Sequence, residues 1–309
     1  MAIGALLATS ACAGDRGGAS NGDGSAFPTK QIRFVVHAPA GGGSDTTSRA
    51  LTAELEKILG QDIIVENRTG GGGSTALQYV AGQNPDGYTL GYMPVELGML
   101  PHRGADVDPA KYDLLGQLVN IPGAVAVPKD SPYQTMADLI EASKSKAVPI
   151  AITGAGGVWD MATTALNKAA QSGLRGVPFD GDAPAVAAVS GKQTEAVMAG
   201  VPTVLPAAKD GNLRALMVLS DERLAELPDV PTAKELGYDL PFGGWGGVGA
   251  PAGLPDDVRR TLEEAIAEAR ASEGFTSTIA RINSTVVNRN GAEFEEFVKS
   301  QSELFGQYL

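Results

Sequence analysis

A short glycine-rich segment between a predicted strand and a predicted helix carries the clearest chemical signal in this sequence. It reads Pro-Ala-Gly-Gly-Gly-Ser-Asp and occupies residues 39–45. A chain that turns on bare glycines into a helix directs unpaired backbone N–H groups and the positive end of the helix dipole toward one point. No Cβ atom keeps a ligand away from this backbone. The segment therefore predicts a site for an anion such as a carboxylate or a phosphate, the alternative being a strand–helix connection that binds nothing.

A second glycine turn repeats this arrangement about 110 residues further along the chain. It occupies residues 153–157, after a predicted strand at 148–152 and before a predicted helix at 161–170. Two α/β units that each end a strand in a glycine turn suggest two lobes whose turns face one another. The space between two lobes is where small ligands are commonly held.

The elements that must position these turns follow a repeated order of strand, glycine turn and helix from Phe27 onward. Further strands are predicted at 33–38, 63–67, 88–92, 124–128, 176–179, 195–198 and 213–219, and further helices at 46–59, 75–81, 136–143, 256–271 and 292–309. This βαβαβ rhythm is typical of an α/β fold with a parallel sheet. In such a fold the loops at the carboxyl ends of the strands form the ligand crevice.

The composition is that of a globular protein with an ample core. The chain has 309 residues, of which 43% are hydrophobic and 19% are charged, and its formal net charge is -12. Such an excess of acidic residues argues against nucleic acid and against anionic membrane surfaces as partners. It also means that the overall field does not attract an anion, so local backbone dipoles would have to hold one.

The first 26 residues read as a lipoprotein-like signal followed by a flexible tether. A short apolar run ends in small residues before Cys12, which would be lipidated in such a signal. Thr9 stands where leucine is usual and no Lys or Arg precedes the run, which a start codon placed too far downstream would explain. A buried N-terminal segment is the alternative. Residues 13–25 form a linker of Gly, Ser and Asp with little to pack.

Motifs of the common enzyme classes are missing from the sequence. The first glycine turn lacks the Lys of a P-loop, and neither glycine turn fits a dinucleotide fingerprint. No Gly-x-Ser-x-Gly elbow lies between a predicted strand and a predicted helix, and His37 and His102 are the two histidines that a hydrolase triad could use. No His-Glu-x-x-His and no cysteine cluster is present. We therefore expect a binding protein with no cofactor and no metal rather than an enzyme.

A set of short motifs resembles the extracytoplasmic solute receptors of tripartite tricarboxylate transporters, the TctC or Bug family, from Phe27 to the C-terminus. The motifs are Phe-Pro-Thr-Lys-Gln-Ile-Arg at 27–33, Ala-Pro-Ala-Gly-Gly-Gly-Ser-Asp at 38–45, Val-Glu-Asn-Arg-Thr-Gly at 65–70, Pro-Asp-Gly-Tyr-Thr-Leu at 85–90, Leu-Pro-Asp-Val-Pro-Thr at 227–232 and Ala-Pro-Ala-Gly-Leu-Pro at 250–255. Each fragment is weak alone. Their order and number carry the assignment.

The resemblance implies an α/β, two-lobe periplasmic-binding-protein fold of type II-like form, with a hinge of two crossing segments and a ligand cleft between the lobes. The first lobe would hold residues 27–120 and 222–309, and the second lobe residues 121–221. The receptor would be an exported monomer, lipid-anchored at Cys12 in the periplasm or at the outer face of the cytoplasmic membrane. It would deliver a small organic carboxylate to the membrane subunits of a secondary transporter. A sensory receptor for a signalling partner, or an enzyme on the same scaffold, are alternatives.

The resemblance also implies which residues bind the ligand. One ligand carboxylate would be held by the first glycine turn, at Ala40, Gly41, Gly42, Gly43, Ser44 and Asp45. The other end of the ligand would meet loops of the second lobe, at Thr153, Gly154, Ala155, Gly156, Gly157 and Asp180.

The second glycine turn departs from the family pattern. Gly157 stands where relatives usually have Ser, and Asp160 stands where they have His. A second ligand carboxylate is therefore less well matched here, and an amine, amide or hydroxyl would suit Asp160 better, unless Asp160 is a helix N-terminal residue that faces solvent. His37 is interpreted as a packed strand residue, with a proton donor to the anion as the alternative. Trp159 and Trp245 either line the cleft or pack in the interior.

Overall fold

The computed structural model of this chain describes residues 27–309. The strands are β1 (Ile32–Val36), β2 (Ile63–Asn67), β3 (Thr89–Pro94), β4 (Tyr112–Pro128), β5 (Val148–Thr153), β6 (Leu174–Phe179), β7 (Ala196–Gly200), β8 (Leu213–Leu219), β9 (Gly243–Pro251) and β10 (Thr285–Val286). The helices are α1 (Gly43–Leu59), α2 (Ser74–Ala81), α3 (Glu96–Met99), α4 (Met136–Ser145), α5 (Val158–Ala170), α6 (Asp182–Ser190), α7 (Val201–Lys209), α8 (Asp256–Ala271), α9 (Glu273–Arg281) and α10 (Gly291–Phe305).

The first lobe is built on the parallel strands β2, β1 and β3. β1 pairs with both neighbours, with Val36 opposite Asn67 at its carboxyl end. α1 follows β1 directly and ends where Gly60 adopts the left-handed conformation. Because parallel strands end at the same edge of a sheet, the loops after β1, β2 and β3 meet at that edge.

The second lobe repeats this arrangement with β5 between β6 and β7. β5 pairs in parallel with both strands. α5 follows β5, as α1 follows β1, so each glycine turn lies at the carboxyl end of a central strand. The two-lobe α/β fold expected from the sequence is confirmed.

The two lobes are joined by β4, a strand of 17 residues. Its first part, Tyr112 to Pro122, pairs antiparallel with β9 in the first lobe. Its second part, from Gly123 onward, pairs antiparallel with β7 and β8 in the second lobe. One chain crossing is therefore a continuous strand that belongs to both lobes, and the change of partner falls between Pro122 and Gly123.

The second crossing lies between β8 and β9. Residues Leu224, Leu227 and Val230 still pack against the apolar cluster formed by the second lobe's strands and helices. Thr232 forms a bridge with Val218 of β8. We propose that the chain returns to the first lobe after this bridge, close to the start of β9.

The predicted elements agree with the structure where the pattern is local. The strand predicted at 213–219 and the helix predicted at 256–271 have the same bounds in the structure. The strand predicted at 124–128 is only the end of β4. No element was predicted at β9 or at α6, α7 and α9, and the helix predicted at 292–309 ends at Phe305.

β9 escapes sequence analysis because glycine, not a β-branched residue, fills most of it. It pairs with β3 on one side and β4 on the other, and nearly all of it is buried. A Cβ atom on Gly246 would overlap the phenol of Tyr92, and one on Gly249 would lie 2.9 Å from the Met93 side chain. Gly246 and Gly249 are therefore required by neighbouring side chains of β3, which no local pattern reveals.

Within residues 27–309, each helix is too short or too polar to span a lipid bilayer. The lipoprotein-like segment and Cys12 lie outside the described residues.

Candidate functional site

The first glycine loop, residues 39–45, joins β1 to α1. Gly41 has a φ of 82°, in the left-handed region that favours glycine. Gly42 is the N-cap residue of α1, and its carbonyl accepts the first helical hydrogen bond from Thr46 N–H at 2.9 Å. The N–H groups of Gly43, Ser44 and Asp45 precede that bond and have no acceptor within residues 27–309. The loop therefore presents free N–H groups at the positive end of a 17-residue helix.

Asp45 holds this loop in shape. Its side chain is 3% exposed and accepts hydrogen bonds from Gly41 N–H at 2.9 Å, from Arg49 Nε at 3.0 Å and from Asn67 Nδ2 at 2.8 Å. Burial acts to raise the pKa of Asp45, but the donors from Arg49, Gly41 and Asn67 outweigh it and hold the pKa below its usual value. The carboxylate is thus ionised and engaged by the protein itself.

Asn67 connects the loop to the sheet. Its Nδ2 also donates to the carbonyl of Ala38 at 2.9 Å. Because Asn67 is opposite Val36 in the ladder between β1 and β2, the end of the sheet fixes both ends of the loop. This gives a structural role to the Val-Glu-Asn-Arg motif that the sequence singled out.

The second glycine loop, residues 153–157, is built in the same way. Gly156 has a φ of 70° and donates its N–H to Asp160 Oδ2 at 2.7 Å. Gly157 is the N-cap residue of α5, and its φ and ψ of -76° and 173° match the -72° and 168° of Gly42. Gly157 N–H donates to the Gly154 carbonyl at 3.2 Å, the same distance as between Gly42 N–H and the Pro39 carbonyl. The two loops are therefore conformational repeats of one another.

Because the two loops are equivalent, Asp160 occupies the same position in the second loop as Asp45 does in the first. One of its oxygens accepts the Gly156 N–H. The other lies beside Gly176 of β6, 3.2 Å from where a Cβ atom would stand. Asp160 is half-buried, so the sequence-based alternative of a residue facing solvent is not what the structure shows.

Asp182, at the start of α6, is a residue of this region that sequence analysis missed. Its carboxylate accepts hydrogen bonds from the Thr153 hydroxyl, from Trp159 Nε1 at 3.2 Å and from Gly200 N–H at 2.8 Å. It ties the second glycine loop to α5 and to the end of β7. Asp180, which the sequence nominated, is exposed two residues earlier.

His37 directly follows β1 and precedes the first glycine loop. Its ring stacks on Tyr92 with a centroid separation of 5.6 Å, and its Nε2 is 4.0 Å from a carboxylate oxygen of Glu96. Its Nδ1 is buried without a hydrogen-bond partner. Burial lowers the pKa of His37, and Glu96 opposes that shift only in part. The imidazole is therefore a neutral packing group, as the sequence analysis interpreted it.

The two tryptophans belong to the interior. Trp159 is 5% exposed and Trp245 is 2% exposed. Trp245 packs edge-on against Phe294 and Phe297 of α10. Of the two alternatives raised by the sequence, interior packing is the one that the structure shows.

Residues 47–308 match the family described as the tripartite tricarboxylate transporter family receptor. A UPF0065 protein in the gbd 5′ region of Cupriavidus necator is 30% identical over 281 residues, covering 88% of this chain and 84% of the relative.

Solved structures show the same similarity. A TctC solute-binding protein from Polaromonas, without ligand, superposes with a TM-score of 0.83 at 26% identity, covering 92% of this chain and 99% of that one. MatC from Rhodopseudomonas palustris, with bound malate, superposes with a TM-score of 0.76 at 27% identity, covering 91% of this chain and 99% of that one.

Proposed function

This chain belongs to the tripartite tricarboxylate transporter receptor family, and from that premise we propose that it captures a small organic carboxylate between its two lobes. It is a periplasmic solute-binding receptor by family. The finer proposal concerns the class of ligand, the residues that hold it and the delivery of the ligand to the membrane subunits of a secondary transporter. The receptor acts by binding and release, without catalysis.

The observation that carries the proposal is the pair of equivalent glycine loops. Each ends a central parallel strand and starts a helix, and in the first loop three consecutive N–H groups have no acceptor among residues 27–309. Both loops keep their aspartate turned inward, engaged by a loop N–H group. The negative side chains therefore shape the loops while the backbone offers positive N–H groups outward, which suits a carboxylate.

Backbone recognition also fits the charge of the chain. At a formal net charge of -12 the overall field repels anions. N–H groups at a helix N-terminus act over short distances and are unaffected by the distant surface carboxylates once salt screens them. A carboxylate ligand is thus held locally, by groups that the loop conformation has already positioned.

The solved relative with bound malate supports this class of ligand, although that ligand is a property of the relative. The candidate contacts remain those proposed from the sequence, namely the backbone of residues 40–45 in the first loop, the backbone of residues 153–157 in the second loop, and Asp180. We assign the Asp45 side chain to positioning rather than to ligand contact, because its carboxylate already accepts hydrogen bonds from three protein donors. Lipidation at Cys12 and a periplasmic or membrane-anchored location complete the proposal.

Thermal stability in the presence of ligand tests the proposal. A ligand that binds only the folded, closed protein stabilises it by about 2.7 kcal/mol at roughly 100 times its Kd. We expect at least one member of a panel of mono-, di- and tricarboxylates and acidic amino acids to raise Tm. Stabilisation by a neutral sugar, with no carboxylate effective, would overturn the carboxylate assignment.

A further inference from the structure

Arg103 reaches from the first lobe to the second glycine loop. It ends a 3₁₀ turn, Leu100–Arg103, that follows α3 beyond the carboxyl end of β3. Its Nη2 donates a long hydrogen bond of 3.4 Å to the carbonyl of Ala155. Its guanidinium atoms also lie 3.5–3.7 Å from the position of a Cβ atom on Gly156. A cation of one lobe therefore covers the glycine backbone of the other.

The turn that carries Arg103 is anchored. The preceding residue, His102, is hydrogen-bonded through Nε2 to the hydroxyl of Ser302 on α10 at 2.9 Å. The following residue, Gly104, adopts the left-handed conformation and donates its N–H to the Pro101 carbonyl at 3.2 Å. The backbone that carries Arg103 is thus held in place, which lowers the entropy cost of a specific contact by its side chain.

The charge of Arg103 has no partner in the described part of the chain. No ion pair among residues 27–309 includes it. A guanidinium has five N–H donors, and the bond to Ala155 uses one. The two carboxylates of the second loop are engaged elsewhere, Asp160 with Gly156 N–H and Asp182 with three donors.

The surroundings of Arg103 indicate what kind of group would neutralise its charge. Gly156 precedes the N-cap residue of α5, so the guanidinium lies near the positive end of a helix dipole. The Arg103 guanidinium and the N-terminus of α5 are both positive, so they repel one another unless an anion binds beside them. A guanidinium fork is also the side chain best suited to bind a carboxylate through two parallel hydrogen bonds.

We propose that Arg103 is a specificity-determining residue that binds a second anionic group of the ligand, at the end remote from the first glycine loop. The inference rests on the proposed function, in which the N–H groups of Gly43, Ser44 and Asp45 hold the first carboxylate. It reverses the expectation from the sequence that Asp160 disfavours a second carboxylate. The Asp160 carboxylate accepts a hydrogen bond within its own loop. The side chain that would face the ligand is Arg103, from the other lobe.

The test uses the purified chain and pairs of acids that differ only in a second carboxylate. Succinate is compared with butyrate, glutarate with pentanoate and adipate with hexanoate by calorimetry. The variants are Arg103→Gln and Arg103→Lys, with Arg260→Gln as the control for loss of one positive charge, because Arg260 is exposed on α8 in the first lobe. Tm without ligand shows whether each variant is folded.

For Arg103→Gln we expect the affinity for the best-binding dicarboxylate to fall about 10- to 100-fold. The affinity for the matching monocarboxylate should change about twofold or less. Arg103→Lys should recover part of the loss, and Arg260→Gln should match the unmodified chain. Equal weakening of both acids would mean that Arg103 only helps the lobes to close, and would overturn the assignment, as would no weakening at all. If carboxylates of every class fail to bind the unmodified chain, the proposed function itself fails, which is a separate result.

Discussion

Gly41 donates its backbone N–H to the carboxylate of Asp45 at 2.9 Å, four residues further along the chain. The second lobe repeats this pairing, with Gly156 and Asp160 at 2.7 Å. In both cases the glycine has a positive φ and the aspartate lies in the first turn of the helix. The acidic residue beside each proposed anion site is therefore part of the framework of its loop.

Asp45→Asn should destabilise the protein and weaken ligand binding. The amide keeps the shape of the side chain but replaces one acceptor oxygen by a donor, which leaves Gly41, Arg49 or Asn67 without an acceptor. We expect the free energy of unfolding to fall by about 1–3 kcal/mol. Urea unfolding checks this, with the exposed Asp229→Asn as control. An unchanged midpoint would show that Asp45 does not support the loop.

Gly43 offers a direct test of backbone recognition. Among residues 27–309, a Cβ atom there meets no atom of a residue beyond its immediate chain neighbours and its own helix backbone within 4 Å, whereas one on Gly42 would lie 3.2 Å from the Pro39 carbonyl. The series Gly43→Ala, Gly43→Val and Gly43→Leu should therefore preserve Tm to within a few degrees. Affinity for carboxylates should fall with side-chain size, by about tenfold or more for leucine, because the side chain covers the free N–H groups. Full affinity in the leucine variant would exclude these N–H groups as contacts.

The titration of His37 should make the free energy of unfolding depend on pH. Its pKa in the folded protein is lowered by burial, so between the ordinary value near 6.5 and the lower folded value only the unfolded chain takes up the proton. Stability from this group is complete above about pH 6.5 and is lost as the pH falls below it, by at most about 1.4 kcal/mol per pH unit.

The variant His37→Phe isolates that contribution. Phenylalanine keeps a ring against Tyr92 and removes both the titration and the unpaired Nδ1. Unfolding free energies measured at about pH 7.5 and about pH 5.5 should differ less in the variant than in the unmodified chain. The same difference in both proteins would mean that His37 titrates normally.

Asp182→Asn should loosen the second glycine loop. Three donors converge on this carboxylate, from Thr153, Trp159 and Gly200. We expect a loss of about 1–3 kcal/mol in the free energy of unfolding and a shift in tryptophan emission, since Trp159 loses a charged acceptor. Asp180→Asn, an exposed position two residues earlier, should leave stability unchanged. Equal effects of the two substitutions would contradict the role given to Asp182.

Sequence analysis reached the fold and both glycine loops because their signals are local. A strand, a glycine turn and a helix with its stop residue occupy consecutive positions, so β1, the first loop and α1 can be recognised together. Asp182 and Arg103 could not be found in this way. Their roles depend on contacts with residues 29 and 52 positions away, at Thr153 and Ala155, which only the folded chain brings together. β9 was missed because it is rich in glycine, and two of these glycines, Gly246 and Gly249, are required by side chains of β3.

We expect the 17-residue strand β4 also to constrain how the two lobes of this receptor move. Its two halves are hydrogen-bonded into different lobes, so neither lobe rotates without twisting the backbone around Pro122 and Gly123. Such a connection behaves as a stiff torsion element with a resting angle, unlike a loose tether. In the proposed function, we expect the sheet to exert a restoring force when the lobes open, so that changes in the stiffness of this short stretch alter how long a ligand stays bound without touching any atom that contacts it.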